Sequence, residues 1–504
     1  MTFAARLEDV RRLGSDIDGL CDLAELALKE GEEDAALPHL MAAARQTVAP
    51  ILWQWAALLW RALDEHGAAL DAFAQAARLA PENAGIAHGR ARVAFEAGLD
   101  AVSLFEAASR LGPPNGDVLI GLAGARWAAG KGDEAEAELD RILEQVPLWQ
   151  QGHSQLAQLR ALMGKKDVAA SLERAIGQQA GKPALWRALF DLHVRREDYP
   201  ALVVSIDRAG KAGIMAADLA DYRAIAAIET GEGMRADALL DALPPDSRHQ
   251  LAIWEVRHLL RTGRPAAAEV LIDREIGAGG HRATAAWPYA ALAWRMTGDP
   301  RLSWLVGDPA MVSVVDIAPL LPPLAEVAAT LDRLHRTAGT YLDQSVRGGT
   351  QTDGPLLSRI DPTIRALRSA VVQAVGAHVR ALPAPDPVHP LLSASRDRRI
   401  RFSGSWSVRL SGSGHHANHV HPQGWISSAL YLALPDRAAD EPADAGWLTL
   451  NEPQAALGLD LPATRIIEPR PGRLVLFPSW MWHGTRPFAR GHRLTVAFDV
   501  ARPY

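Results

Sequence analysis

Cysteine is almost missing: Cys21 is the only one in 504 residues, which excludes a disulfide framework and a thiolate metal cluster. Long apolar runs are missing too. No stretch approaches about 18 unbroken apolar residues, so no membrane-spanning helix is expected. The opening MTFAARLEDVRRLG has acids early and no apolar h-region, so it does not read as a secretion signal, and the expected location is the cytoplasm. An excess of basic charge is also lacking. The net charge is −6, which gives no electrostatic footprint for nucleic acid or acidic membrane. The densest basic cluster, RDRRIR at Arg396 to Arg401, reads as solvated surface or a structural edge.

What is present is a chain too long for one ordinary core, and 48% hydrophobic with 22% charged residues, as in a globular protein of two or more domains. Its composition shifts along its length. The first 300 residues are rich in Ala, Leu, Arg and Glu, whereas the last 110 are rich in Ser, Gly, Pro, His, Val and Trp. That change marks a passage from helix to strand.

The helical part repeats. In LWQWAALLWRALDEHGAALDAFAQAARLAPEN, Trp53, Ala57 and Trp60 share helical spacing, followed by Gly67, Ala69, Phe73, Ala76 and Pro81. The second half recurs as Ala101, Phe105, Ala108, Pro113 and again as Ala135, Leu139, Ile142, Pro147. Small residues such as Ala57 and Ala69 let paired helices approach, Phe73 and Phe105 fill the gap to the next pair, and each proline ends a second helix. The pattern resembles the tetratricopeptide repeat, with three good units from about Ala49 to Pro147 and weaker ones to about residue 300. Such stacked pairs form a solenoid whose concave wall takes a peptide or protein, or else serves only to stabilise a homodimer or shield the neighbouring domain. The tryptophans Trp53 and Trp60 read as core.

Residues 301–395 read as a bridge with a short strand-like run and two amphipathic helices, the second containing His378 as a surface or boundary residue. Between the helices lies DQSVRGGTQTDGPLLSRIDP, Asp343 to Pro362, read as a loop that either covers a pocket through Arg347 and Gln351 or simply connects. From 396 to 504 the segments RFSGSWSVRL, WISSALYLALP, GWLTLN, TRIIEP, GRLVLFP and HRLTVAFDV read as short strands of a β-sandwich or jelly roll.

This last region holds the candidate chemistry. His419 and His421, two apart on an extended chain, point to one face and suit a shared metal ion. His483, near a later strand end, completes a facial set. Arg493 then offers a cation for the carboxylate of an organic acid chelating that ion, which suggests iron with a 2-oxoacid. Register leaves His416 as an alternative ligand and Asp499 as a concealed carboxylate ligand. His415 would join His419 only on a helix, which SGSG disfavours, and His492 faces away from Arg493. Trp406, Trp425 and Trp482 either wall the pocket or pack in the core.

The elements QSVRGGTQTDGPLL, FSGSWSVRL, NHVHPQGWISSALYLALP and PGRLVLFPSWMWHGTRPF with HRLTVAFD resemble the iron(II)/2-oxoglutarate-dependent oxygenases that follow tetratricopeptide repeats, distant relatives of prolyl hydroxylases. The resemblance spans residues 305 to 504. It implies a double-stranded β-helix, Fe(II) and 2-oxoglutarate as cofactors, and O2-dependent hydroxylation. It also implies His419, His421 and His483 as metal ligands, Arg493 with Thr495 at the far carboxylate of 2-oxoglutarate, and Tyr431 and Ser427 as further contacts. One departure stands out: the family's second ligand is Asp or Glu, and here it is His421. Either three histidines hold the ion, or His421 stands behind it and water completes the site. Rival readings are a three-histidine zinc hydrolase and a repeat scaffold whose oxygenase-like domain no longer turns over.

Overall fold

The computed structural model describes residues 1–13, 16–336, 339, 342, 345–437 and 440–503. Its first part is a run of helices from Phe3–Leu13 to Arg301–Val306. Helix Pro50–Ala62 pairs with His66–Leu79, Ala84–Glu96 with Val102–Arg110, and Gly116–Ala128 with Gly132–Gln145. Ala57 and Ala69 are fully buried, as close helix approach requires. Phe73 and Phe105 do bridge to the next pair. A Cβ on Gly89 would lie 2.4 Å from the Phe73 ring and one on Gly121 would lie 2.2 Å from Phe105, so each ring sits against a glycine of the following helix. The helices end just before Pro81, Pro113 and Pro147.

The turn inside each pair is left-handed at one residue. Glycine fills it at Gly31, Gly98, Gly130, Gly164, Gly231 and Gly263, but Asp64 (φ 60°) and Glu197 (φ 54°) hold the same conformation with a side chain. Such strain costs an acidic residue on the order of 1 kcal/mol. Both acids reach into the C-terminal domain: Asp64 Oδ2 accepts from Phe402 N–H (3.3 Å) and Glu197 Oε1 from Gln454 Nε2 (2.8 Å).

These turns form one edge of the array, and that edge is occupied by the protein's own C-terminal half. Arg398 pairs with Glu32 (2.7 Å), Arg401 with Glu33, and Arg399 with Asp34 (3.4 Å) and Glu65. One pair further on, Ala97 O accepts from Ile360 N–H (3.1 Å). Then Ala128 O accepts from Arg336 (2.6 Å) and Leu162 O from Gly339 N–H (2.9 Å). Beyond Glu197, Arg295 donates to Asn451 O (2.8 Å) and Trp482 Nε1 to Pro288 O (3.0 Å). The basic cluster at 396–401 is therefore not a solvated surface but a clasp on the first repeats.

Among the described residues the C-terminal half has nine strands: β1 (Ser313–Asp316), β2 (Val346–Gln351), β3 (Phe402–His416), β4 (Ile426–Ala433), β5 (Leu448–Leu450), β6 (Arg465–Ile467), β7 (Arg473–Pro478), β8 (His483–Thr485) and β9 (His492–Val500). They form a six-stranded sheet ordered β1-β7-β4-β9-β3-β2 and a three-stranded sheet ordered β6-β5-β8, with antiparallel pairing throughout. Helices Leu324–Asp332 and Pro362–Ala381 cover one face of the larger sheet. There Val327, Leu331, Leu367 and Val371 meet Ile426, Leu430, Val496 and Phe498 in one buried cluster. Each such aliphatic side chain contributes roughly 1.5–3 kcal/mol on burial.

Two expectations need correction. The segment read as a loop from Asp343 is strand β2 from Val346 onward, pairing with β3 across a register shift between Arg347 and Gly349. Gly348 takes φ 70° there, a bend that a side chain would strain. Asp343 and Gln344 lie outside the described residues. His378 is not at the surface: it is buried, its Nδ1 is 2.7 Å from Ser313 Oγ, and burial lowers its pKa to about 4.

Candidate metal and co-substrate site

The histidines meet because two chain segments pair. His419 and His483 form an isolated antiparallel bridge, exchanging both backbone bonds (His419 N–H to His483 O, 2.9 Å; His483 N–H to His419 O, 3.0 Å). Residues directly opposite in such a bridge point their side chains to one face. His421, two positions on, shares that face and is anchored by its N–H to Ser479 O (2.9 Å). Asn418, just before His419, donates to Pro453 O (3.1 Å). One ring nitrogen from each of His419, His421 and His483 then lies within 4.8 Å of the others.

Hydrogen bonds decide which nitrogen each ring offers. His419 Nδ1 donates to Ala417 O (2.8 Å), His483 Nδ1 to Met481 O (2.9 Å), and His421 Nδ1 to Asp499 Oδ2 (2.6 Å). A carbonyl or carboxylate oxygen only accepts, so each Nδ1 carries the proton and each Nε2 keeps its lone pair. Burial pushes His419 down to about pKa 3, with His421 adding to the shift, and holds His483 well below its ordinary value. Three imidazoles whose Nδ1 atoms are engaged elsewhere form a donor set suited to iron, zinc or copper. Asp499 is tied on its other oxygen by Ser427 Oγ (2.5 Å), which also reaches Ser479 Oγ (2.9 Å). The carboxylate thus stands one atom layer behind the imidazole of His421, orienting it.

A cavity of about 930 Å³ opens in front of the trio. Arg493 lies on its wall, 2% exposed, its Nη1 donating to Gly446 O (2.7 Å) and Nη2 to Thr485 Oγ1 (3.1 Å). Among the described residues its Nε has no partner, and neither has the hydroxyl of Tyr431, whose ring lies 5.9 Å from the guanidinium. Burial pulls the guanidinium below its ordinary pKa and raises that of Tyr431. A buried cation whose bonds run to a carbonyl and a hydroxyl is costly unless an anion joins it. The two orphaned groups therefore fit a carboxylate.

Thr495 lines the same cavity, opposite Tyr431 in the β4–β9 register, and so do Trp406 and Arg347. Trp406 packs 5.5 Å from the His421 ring. Ser427, Gln351, Trp425 and Trp482 do not line it. Ser427 serves Asp499, Trp425 donates to Leu391 O (2.9 Å) in the core, and Gln351 lies on β2 facing Val408. His416 stacks on His419 at 6.1 Å, with Ser345 Oγ 3.2 Å from a nitrogen of each, and remains outside the trio. Sequence reasoning missed the array's share of the wall: Lys165, Arg195, Arg196, Tyr199, Trp254 and Arg257 line the cavity too. No local motif signals this, because it depends on how three pairs of helices turn toward the domain.

Residues 404–499 match the family model described as "Putative 2OG-Fe(II) oxygenase", and residues 99–162 match a tetratricopeptide repeat model. The C-terminal part of this chain is thus similar to 2OG-Fe(II) oxygenase domains, and part of its helical array to tetratricopeptide repeats. Among solved structures, the chain is similar to a Pseudomonas putida prolyl-4-hydroxylase at 20% identity, covering 40% of this chain and 98% of that one (TM-score 0.26). It is also similar to a tetratricopeptide repeat protein of Parabacteroides merdae at 18% identity, covering 46% and 96% (TM-score 0.29). A third similarity is to MamA of Desulfovibrio magneticus at 15% identity, covering 32% and 94% (TM-score 0.29). No curated protein matches the chain. Among the described residues no helix is long and apolar enough to cross a membrane.

Proposed function

We propose that the protein is an Fe(II)- and 2-oxoglutarate-dependent dioxygenase that hydroxylates a peptide or protein side chain. The observation that carries this reading is the meeting, in one cavity, of three fixed imidazole lone pairs and a buried arginine lacking an anionic partner. His419, His421 and His483 would hold the iron through Nε2, leaving the positions away from the protein for co-substrate and O2. When bound, iron and 2-oxoglutarate supply O2 activation coupled to oxidative decarboxylation, giving succinate, CO2 and a hydroxylated C–H bond. Arg493 Nε and the Tyr431 hydroxyl would receive the far carboxylate, with Thr495 beside them. Asp499 holds the proton of His421 at Nδ1 and keeps that ring aimed. With no carboxylate in the trio, Asp499 behind His421 is the group that would offset the charge of a bound metal.

The test is succinate release from 2-oxoglutarate, with Fe(II) and a peptide panel present, for the unaltered chain and for His483→Ala. Succinate above the variant's level is expected. Equal release from both would sink the oxygenase reading in favour of a scaffold, and hydrolysis dependent on zinc would favour the hydrolase.

A further inference from the structure

The wall that the array gives to the cavity is built on the array's own core. Ala161, Val194, Tyr199 and Trp254 line the cavity and also pack, partly buried, on the cluster that holds Leu189 and Leu202. Each of the two aromatics thus has one part seated on protein and another part open to the cavity. Tyr199 opens helix Tyr199–Lys211 and Trp254 lies near the start of Ala252–Arg261, so two separate helix pairs meet here. From the domain comes Trp406 of β3, its ring 5.5 Å from that of His421. Four charged side chains of the same array wall are engaged within the protein: Lys165 by Glu136, Arg195 by Ser154, Glu197 by Gln454 and Arg257 by Glu229. A charged group already bonded has less to offer a guest than an open aromatic face.

The two rings are held from behind. Arg257 is buried, its guanidinium 5.4 Å from the Trp254 ring, and its Nη1 donates to Tyr289 Oη (3.2 Å) and to Gln454 Oε1 (3.3 Å). Gln454 follows β5 in the domain, lines the cavity, and also donates to Glu197, two residues before Tyr199. One side chain of the domain therefore fixes both aromatic-bearing helices relative to the histidines. Rings fixed in advance lose little freedom when they meet a guest, which favours binding. Burial raises the pKa of the Tyr199 phenol, so that ring stays neutral. The cavity of about 930 Å³ is near the top of the range for small-ligand sites, roughly 300–1,000 Å³, and a five-carbon diacid at Arg493 fills only part of it. The space left over is bordered by aromatic rings from both halves of the protein, and such a space suits an apolar side chain.

We propose that Tyr199 and Trp254, together with Trp406, are specificity-determining residues that receive an aliphatic or aromatic side chain of the substrate peptide beside the residue modified. The array is then part of the active site and not only a tether. This rests on the oxygenase reading above and names its substrate class. The test is fluorescence anisotropy on the full chain, with Co(II) and 2-oxoglutarate present to prevent turnover. The probes are uncharged labelled peptides of one length, alike except for Leu, Trp or Ser at the central positions. The Leu and Trp peptides are expected to bind on the order of tenfold tighter than the Ser peptide. That preference should persist in about 0.5 M salt, because apolar burial is not screened. Trp254→Ala and Tyr199→Ala are each expected to reduce it to about threefold or less, with Co(II) affinity unchanged. Should either variant unfold early on heating, Trp254→Gln and Tyr199→Gln replace them with the same expectation. Equal binding of the three peptides, a preference retained in the ring variants, or one abolished by salt overturns the proposal. If the preference is absent while the unaltered chain still binds Co(II) and releases succinate with Fe(II), only this inference falls. If Co(II) finds no site, the oxygenase reading falls.

Discussion

The bond from His421 Nδ1 to Asp499 Oδ2 spans 2.6 Å, and Asp499 in turn receives Ser427 at 2.5 Å. Carboxylates placed behind a metal-binding imidazole change affinity by about 10–100-fold when removed. Asp499→Ala is therefore expected to weaken Co(II) binding by that factor, read by anaerobic titration of the visible spectrum, while His483→Ala abolishes it. Unaltered affinity in Asp499→Ala would show that the carboxylate does not orient the ring. Sequence reasoning put Asp499 on the Arg493 face and left a ligand role for it open, since period two fixes a face and not a depth; it stands behind His421. A second consequence concerns acid. Burial lowers His335 and His378 to about pKa 4 against about 6.5 when unfolded. The unfolded chain therefore takes up protons first, and stability falls as pH drops from about 6.5 toward 4, by up to about 1.4 kcal/mol per pH unit per histidine. Above about 6.5 these groups contribute no slope. Urea unfolding at pH 7 and pH 5 checks this, with a flatter dependence expected for His378→Gln. An identical slope in that variant would remove His378 from the account.

Strand β8 is only His483–Thr485, and its central residue has no room. A Cβ on Gly484 would lie 2.0 Å from Asn418 Oδ1 and 2.9 Å from His416 O. Gly484→Ala must therefore push the 416–421 segment away from β8 and open the His419–His483 bridge. The expected outcome is metal affinity reduced by at least about tenfold with the remaining fold intact, since overpacking typically costs 1–3 kcal/mol. Native affinity measured by the same titration would show that Asn418 simply rotates aside. The two-residue histidine spacing was legible because alternation on an extended chain is a local rule, and the repeats were legible because alanines, phenylalanines and prolines recur at about 34 residues. Strand β2 was not: VRGGTQ holds two glycines, and its strand character comes from pairing with β3 and not from its own propensity. Strand β8 escaped notice for the same reason, being three residues in a turn-rich stretch.

At the scale of the whole molecule, the array and the domain are joined along the repeat turns, from Gly31 near one end to Arg295 near the other. RDRRIR was legible as a basic cluster but not as a clasp, because its partners Glu32, Glu33 and Glu65 lie more than 300 residues away in sequence. Glu33 is almost fully buried, 1% exposed, so the guanidinium of Arg401 is what offsets its charge. Removing one partner of a buried pair leaves the other uncompensated and costs about 3–5 kcal/mol. Arg401→Ala is thus expected to loosen the first repeats from β3 more than Arg398→Ala, whose pair with Glu32 is partly exposed and contributes less than about 1 kcal/mol. Because the same edge further along walls the cavity in front of the histidines, the clasp also bears on how the array sits against that cavity. Limited proteolysis distinguishes the variants: cleavage in the repeats should accelerate strongly in Arg401→Ala and little in Arg398→Ala. Equal resistance would mean that the later turns, from Ala97 to Glu197, hold the two halves together without the clasp.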